Sequence, residues 1–140
     1  METVDFKAEH LRELQDTGSQ QYVSQYIAEA SIATLENYES FSGIADGRVI
    51  ACSGVVPIWN NRAMAWAYLA DDIAKDFLHV HFAVLRFLKR CSYARVEATV
   101  ECNHVEGHTW IQALGFELEA PVMHKYLPNG APCSLYSRIK

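Results

Sequence analysis

Glu97 and Glu101 stand four residues apart on one alternating segment, and a well-placed carboxylate there could take a proton from an amine. In residues 95–101 the apolar Val96, Ala98 and Val100 alternate with Arg95, Glu97, Thr99 and Glu101, the period of a half-buried strand. Carboxylates on such a strand ordinarily face water, and the general-base role competes with that simpler reading. Just beyond, Cys102, His104 and His108 form a C-x-H-x3-H pattern, and histidines four apart share a helix face, as zinc ligation requires. No fourth ligand stands at a matching spacing, so surface or helix-capping histidines fit better and no metal is expected. His79 and His81 are two residues apart, about 200° around a helix, and do not converge on one ligand. GxSxG, Walker-type and Cys–His–orienter patterns are all missing.

The elements that would position these groups follow from periodicity and turn chemistry. Residues 2–6 read as a short strand, and residues 7–16 and 19–36 as helices. In the second helix Ser19 is a candidate N-cap, and Tyr22, Val23, Tyr26, Ile27, Ala30, Ala33 and Thr34 recur at helical spacing. The period then changes. Two strands join at Asp46-Gly47, a type I′ hairpin signal, and Asn60-Asn61 turns into a third strand over 62–70. Residues 74–91 form the longest apolar helix pattern. Phe77, His81, Val84, Leu88 and Cys91 make one stripe, with Leu78, Phe82 and Leu85 beside it, which suits a helix packed on a sheet with a partner on its other side. Strand 95–101 follows, and residues 93–101 should lie in the sheet beside residues 63–70, with helix 76–91 crossing between them on one face. A short helix with Val105, Thr109, Ile111 and Leu114 comes next. Gly115 ends it, and Phe116 folds back on its last turn. Two closing strands flank a Pro128-Asn129-Gly130 turn.

The whole is one α/β domain of 140 residues, without repeats or linkers. Half the residues are hydrophobic and 21% are charged, a globular composition. A net charge of −5 gives no electrostatic footprint for nucleic acid or anionic lipid. No apolar run approaches the roughly 20 residues that span a bilayer, and the acidic N-terminus METVDFKAEH is expected to be the mature start of an intracellular product. Cys52, Cys91, Cys102 and Cys133 form no CxxC pair and are read as buried free thiols.

The order strand, two helices, three antiparallel strands, helix, strand, helix, two strands, with Leu114-Gly115-Phe116 at its corner, resembles the GNAT acetyltransferase superfamily over the whole chain. The closing segment MHKYLPNGAPCSLYSRI is similar to the last hairpin of small GNAT-like proteins of tailed phages and prophages. The resemblance implies a mixed, mostly antiparallel central sheet flanked by helices, and an acetyl-CoA site. Its cofactor-binding candidates are Leu69 and Ala70 at the end of the fourth strand, Lys75 and His79 after it, and Asn103.

The chain departs from that family where the chemistry lies. Family enzymes hold the coenzyme diphosphate on an Arg/Gln-x-x-Gly-x-Gly/Ala loop, whose backbone N–H groups meet the phosphates. Here the glycine positions fall near Lys75, Phe77 and His79, and no glycine occurs between Gly54 and Gly107. Asp71, Asp72 and Asp76 surround the same place and would repel a diphosphate, offset only in part by Lys75 and a protonated His79. Ile111 stands where a family Tyr often protonates the leaving thiolate, and neither it nor Trp110 can give a proton.

Two functions remain in contention. In the first, a phage or prophage product in the virion or its assembly works by contact. Its partners are phage structural or assembly proteins, or a second copy, and no cofactor is expected. In the second, an acyl-CoA-dependent N-acetyltransferase uses acetyl-CoA on an amine. The expected location is the host cytoplasm, or the virion.

Overall fold

The computed structural model describes residues 1–23 and 29–140. Seven strands form one sheet in the order β1 (Glu2–Asp5), β3 (Ser40–Ala45), β4 (Arg48–Trp59), β5 (Arg62–Ala70), β6 (Arg95–Glu101), β8 (Cys133–Ile139), β7 (Glu117–Met123). An eighth strand, β2 (Ser19–Val23), pairs with β5 outside that path. Among the described residues only β5 and β6 run parallel, and the other pairs are antiparallel. The β3–β4 turn has φ of 51° at Asp46 and 77° at Gly47, the left-handed pair that a type I′ hairpin needs.

Helices cover both faces. Phe41 meets Phe87 of α2 (Phe77–Arg90) with ring centroids 5.5 Å apart. The next residue, Ser42, is 2.9 Å from His10 Nδ1 of α1 (Ala8–Asp16). Adjacent strand residues point to opposite faces, so α1 and α2 lie on opposite sides of the sheet. On the α2 side, Ala65 and Ala67 leave room for Val84, Leu88 and α3 (Val105–Ala113), enclosing a cavity of only about 20 Å³. Trp66, 1% exposed, stacks edge-on against Phe6 at 5.2 Å on the other side.

The corner after α3 follows from its sequence. Gly115 has φ of 89°, its amide donates to Gln112 O, and the Phe116 amide donates to Ile111 O at 3.2 Å. This is a Schellman stop, and it buries Phe116 against the helix it ends. His108 pins α3 to the sheet. Its Nε2 lies 3.0 Å from Glu101 O and 3.1 Å from Cys102 O, so that nitrogen carries the proton, and Tyr136 O–H donates to Nδ1 at 2.7 Å.

One expected helix is not formed. Of the 19–36 segment, Ser19–Val23 is strand β2, Glu29–Asn37 is a 3₁₀ helix, and residues 24–28 lie outside the described residues. The reason is tertiary. β5 exposes unpaired backbone groups beyond Met64, where β6 has left it, and β2 takes them. The long helix also begins later than periodicity suggests, with a 3₁₀ turn over Ile73–Asp76 before Phe77.

Candidate functional site

A parallel pair that separates along its length opens a cleft, and β5 and β6 do so. They pair only at Arg62↔Arg95, Ala63↔Val96 and Met64↔Glu97. From Ala67 to Ala70 the same edge of β5 pairs instead with β2, through Ser19↔Ala70, Gln20↔Leu69, Gln21↔Tyr68 and Val23↔Ala67. β2 also lies against β6 and α3, so it sits within the opening. Leu69 and Ala70 are thus interior to the sheet, at 0% and 2% exposure.

Beyond the end of β5 a groove of about 650 Å³ runs between the start of α2 and α3. Its walls are largely apolar, with Phe77 edge-on to Trp110 at 5.5 Å and stacked on His81 at 6.4 Å. Trp110 Nε1 donates to His81 Nδ1 at 3.1 Å, which fixes α3 to α2. Leu78 and Val105 stand on its outer edges, and the charged groups lining it are the carboxylates of Asp71 and Glu106.

Acetyl-CoA, the ligand this fold implies, carries a diphosphate, and the residues here do not fit one. The Phe77 amide donates to Ala74 O inside the 3₁₀ turn. Asp71, Asp72 and Asp76 bring three carboxylates to the same end. Asp72 binds Arg48 at 2.6 Å, which holds its carboxyl below the usual range, and Lys75 is drawn away to Asp46 at 3.3 Å.

Glu97 is 3% exposed and lies in an ionic chain. Arg62 donates to its two oxygens at 2.5 and 3.0 Å, and Arg95 donates to Oε2 at 2.7 Å. Arg95 also grips Glu119 bidentately at 2.8 and 2.9 Å, and Ser137 Oγ donates to Glu119. These donors, Arg62 foremost, hold the Glu97 carboxyl below its ordinary value, while Arg95 and then Ser137 bring Glu119 down to about 2. A carboxylate so placed is a poor proton acceptor near neutral pH.

The other candidates are dispersed. Glu101 is half-buried at the end of β6, opposite Cys133. Asn103 is exposed in the turn before α3. His79 is exposed, with Asp76 3.9 Å away. Among the described residues no three of His, Cys, Asp and Glu are grouped as metal ligands would be. All four thiols are free, and burial pushes Cys52 up to about 12. The residues brought together are ones that motif reasoning had placed apart. Asp71 and Glu106 both line the groove, and Arg62 and Arg95 bind Glu97, with Arg95 bridging on to Glu119. The opposite charges along β6 were a signal for the second set.

The architecture is that of the GNAT acetyltransferases. An Ard1 from Thermoplasma volcanium superposes with a TM-score of 0.76 at 15% identity, over 99% of this chain and 96% of that one. A GNAT superfamily phosphinothricin acetyltransferase from Sinorhizobium meliloti, solved in complex with acetyl-CoA, gives 0.73 at 18% identity over 99% and 87%. An N-acetyltransferase from Staphylococcus aureus Mu50 gives 0.73 at 12% identity over 99% and 96%. No protein-family model matches the sequence, and no curated protein does. At these identities the likeness defines the fold.

Proposed function

We propose that this is a GNAT-fold protein with a degenerate acetyl-CoA loop that works by protein contact, as a virion or assembly component of a phage or prophage. The observation that supports the contact reading most is β2 paired along Ala67–Ala70 of β5. An extended ligand entering between β5 and β6 would meet a strand already bonded there. The acidic approach at Asp71, Asp72 and Asp76 adds repulsion toward a diphosphate. The phage setting is supported by the resemblance of residues 123–139 to the closing hairpin of phage GNAT-like proteins, and it places the chain in the host cytoplasm or the particle.

A second reading, an acyl-CoA-dependent N-acetyltransferase acting on an amine, is favoured by the groove between α2 and α3 and by the acetyl-CoA bound to the S. meliloti neighbour. Isothermal titration with acetyl-CoA separates the two. The contact reading expects no saturable heat at high micromolar coenzyme, and low-micromolar affinity would replace it with the enzyme. For the assembly role, the chain should co-purify with particles or their unassembled components from the producing cell. Its absence from both would remove the phage assignment.

A further inference from the structure

Charge is unevenly distributed along α2. At its leading end stand Asp71, Asp72 and Asp76, with Glu106 across the groove. Arg48 binds Asp72 and also feels the charge of Asp76, which lies 3.9 Å from His79, while Glu106 lies 3.7 Å from His104. At the trailing end Arg86, Lys89 and Arg90 are exposed and form no ion pair among the described residues. Lys140 joins them, its Nζ donating to the Lys89 and Cys91 carbonyls. Between the two ends an apolar stripe faces away from the sheet. Leu78 is 67% exposed and Phe82 is 53% exposed, and Leu85, half-buried with one side on the core, follows them at helical spacing. Val105, 70% exposed, extends the patch onto α3.

We infer that this face binds a second copy of the chain, with the two α2 helices antiparallel about a twofold axis near Phe82. In that arrangement the acidic leading end of each copy meets the basic trailing end of the other, and both contacts form at once. A parallel arrangement would set like charges together. Another protein would have to carry the same pattern of apolar stripe and cations, which this chain already presents. The inference rests on the contact reading above and names its partner. A helix of 14 residues is about 21 Å long, so with the adjoining edge of α3 the contact is smaller than the standard ~800 Å² per partner. A reversible dimer with a dissociation constant on the order of 10–100 µM is the result.

Sedimentation velocity from roughly 1 to 300 µM tests it, a range that brackets that constant. The wild-type chain should pass from its monomer mass of 15.8 kDa to twice that value. Phe82→Glu should stay monomeric throughout with an unchanged circular dichroism spectrum. Lys89→Glu with Arg90→Glu, and separately Asp71→Lys with Glu106→Lys, should each weaken the dimer by about tenfold or more. Mixed in equal amounts, these two charge-reversed variants should associate with each other, because every contact again joins opposite signs. A wild-type chain monomeric over the whole range overturns the inference, even if a basic partner of another kind binds the face. So does a dimer indifferent to Phe82→Glu, or a mixture that associates no better than either variant alone. Coenzyme plays no part in the assay. Acetyl-CoA binding would therefore displace the contact reading without touching a measured dimer, and an absent dimer would leave contact with another protein standing.

Discussion

The amide of Asp71 donates to the carbonyl of Gly18 at 3.2 Å, and this bond closes the ladder of β2 on β5 at its outer end. Gly18 has φ of 96°, where a side chain is strained, and an added Cβ would lie 2.8 Å from Asp71 Oδ2. The turn that swings the chain from α1 into the cleft therefore depends on this glycine.

Gly18→Ala should lower stability by about 1–2 kcal/mol and loosen β2 before the rest of the sheet. Hydrogen exchange at the amides of Gln20, Gln21 and Val23 should accelerate more than exchange in β4 and β6. Equal acceleration everywhere, or an unchanged urea midpoint, would show that β2 is not held by this turn.

That same strand marks the limit of what the sequence reveals. β6 forms over its expected residues but buries Glu97 and Thr99 as well as Val96, Ala98 and Val100, so its alternation does not mark a solvated face. The Asp46-Gly47 hairpin and the Gly115 stop are local signals, and each forms where the residues place it. The mixed sheet and its flanking helices were legible for that reason. β2 was not. Residues 19–36 carry helical spacing, and their first five are claimed by the free edge of β5, which exists only after β6 has diverged. The groove was hidden for a similar reason, since Phe77 and Trp110 are 33 positions apart and meet only once α2 and α3 share a face of the sheet. The missing glycines after β5, by contrast, were plain in the sequence.

The ionic chain at the base of β6 predicts acid lability. Glu97 and Glu119 both titrate below their unfolded values, so they stabilise the fold fully above about pH 4.5 and lose that contribution as pH falls below it, Glu119 on the way down to about 2. Glu97→Gln leaves two guanidiniums without their shared charge. It should cost about 2 kcal/mol at neutral pH, below the fully buried range because Arg62 and Arg95 are 31% and 30% exposed. Urea denaturation at neutral pH and near pH 3 should show a steep loss for the wild type and a flatter one for Glu97→Gln with Glu119→Gln. Parallel losses would place the acid sensitivity elsewhere.

Gly107, buried within α3, sets two effects against each other. Alanine in a helix interior is favoured over glycine by about 1 kcal/mol. A Cβ here, however, would lie 2.8 Å from Val100 Cγ1 and 2.8 Å from His104 Nδ1. Val100 is a β-branched residue one position from the end of β6 at 0% exposure, and its methyl has nowhere to turn. Relief requires α3 to lift from the sheet, which stretches the His108 bonds to Glu101, Cys102 and Tyr136. Overpacking of this kind costs about 1–3 kcal/mol and should outweigh the propensity gain. Gly107→Ala is thus expected to lower the melting temperature by several degrees, with Trp110 fluorescence reporting the shift of α3 against α2. A rise in melting temperature would mean that α3 can settle away from β6 without cost, and that the close approach at Gly107 does not hold the groove in shape.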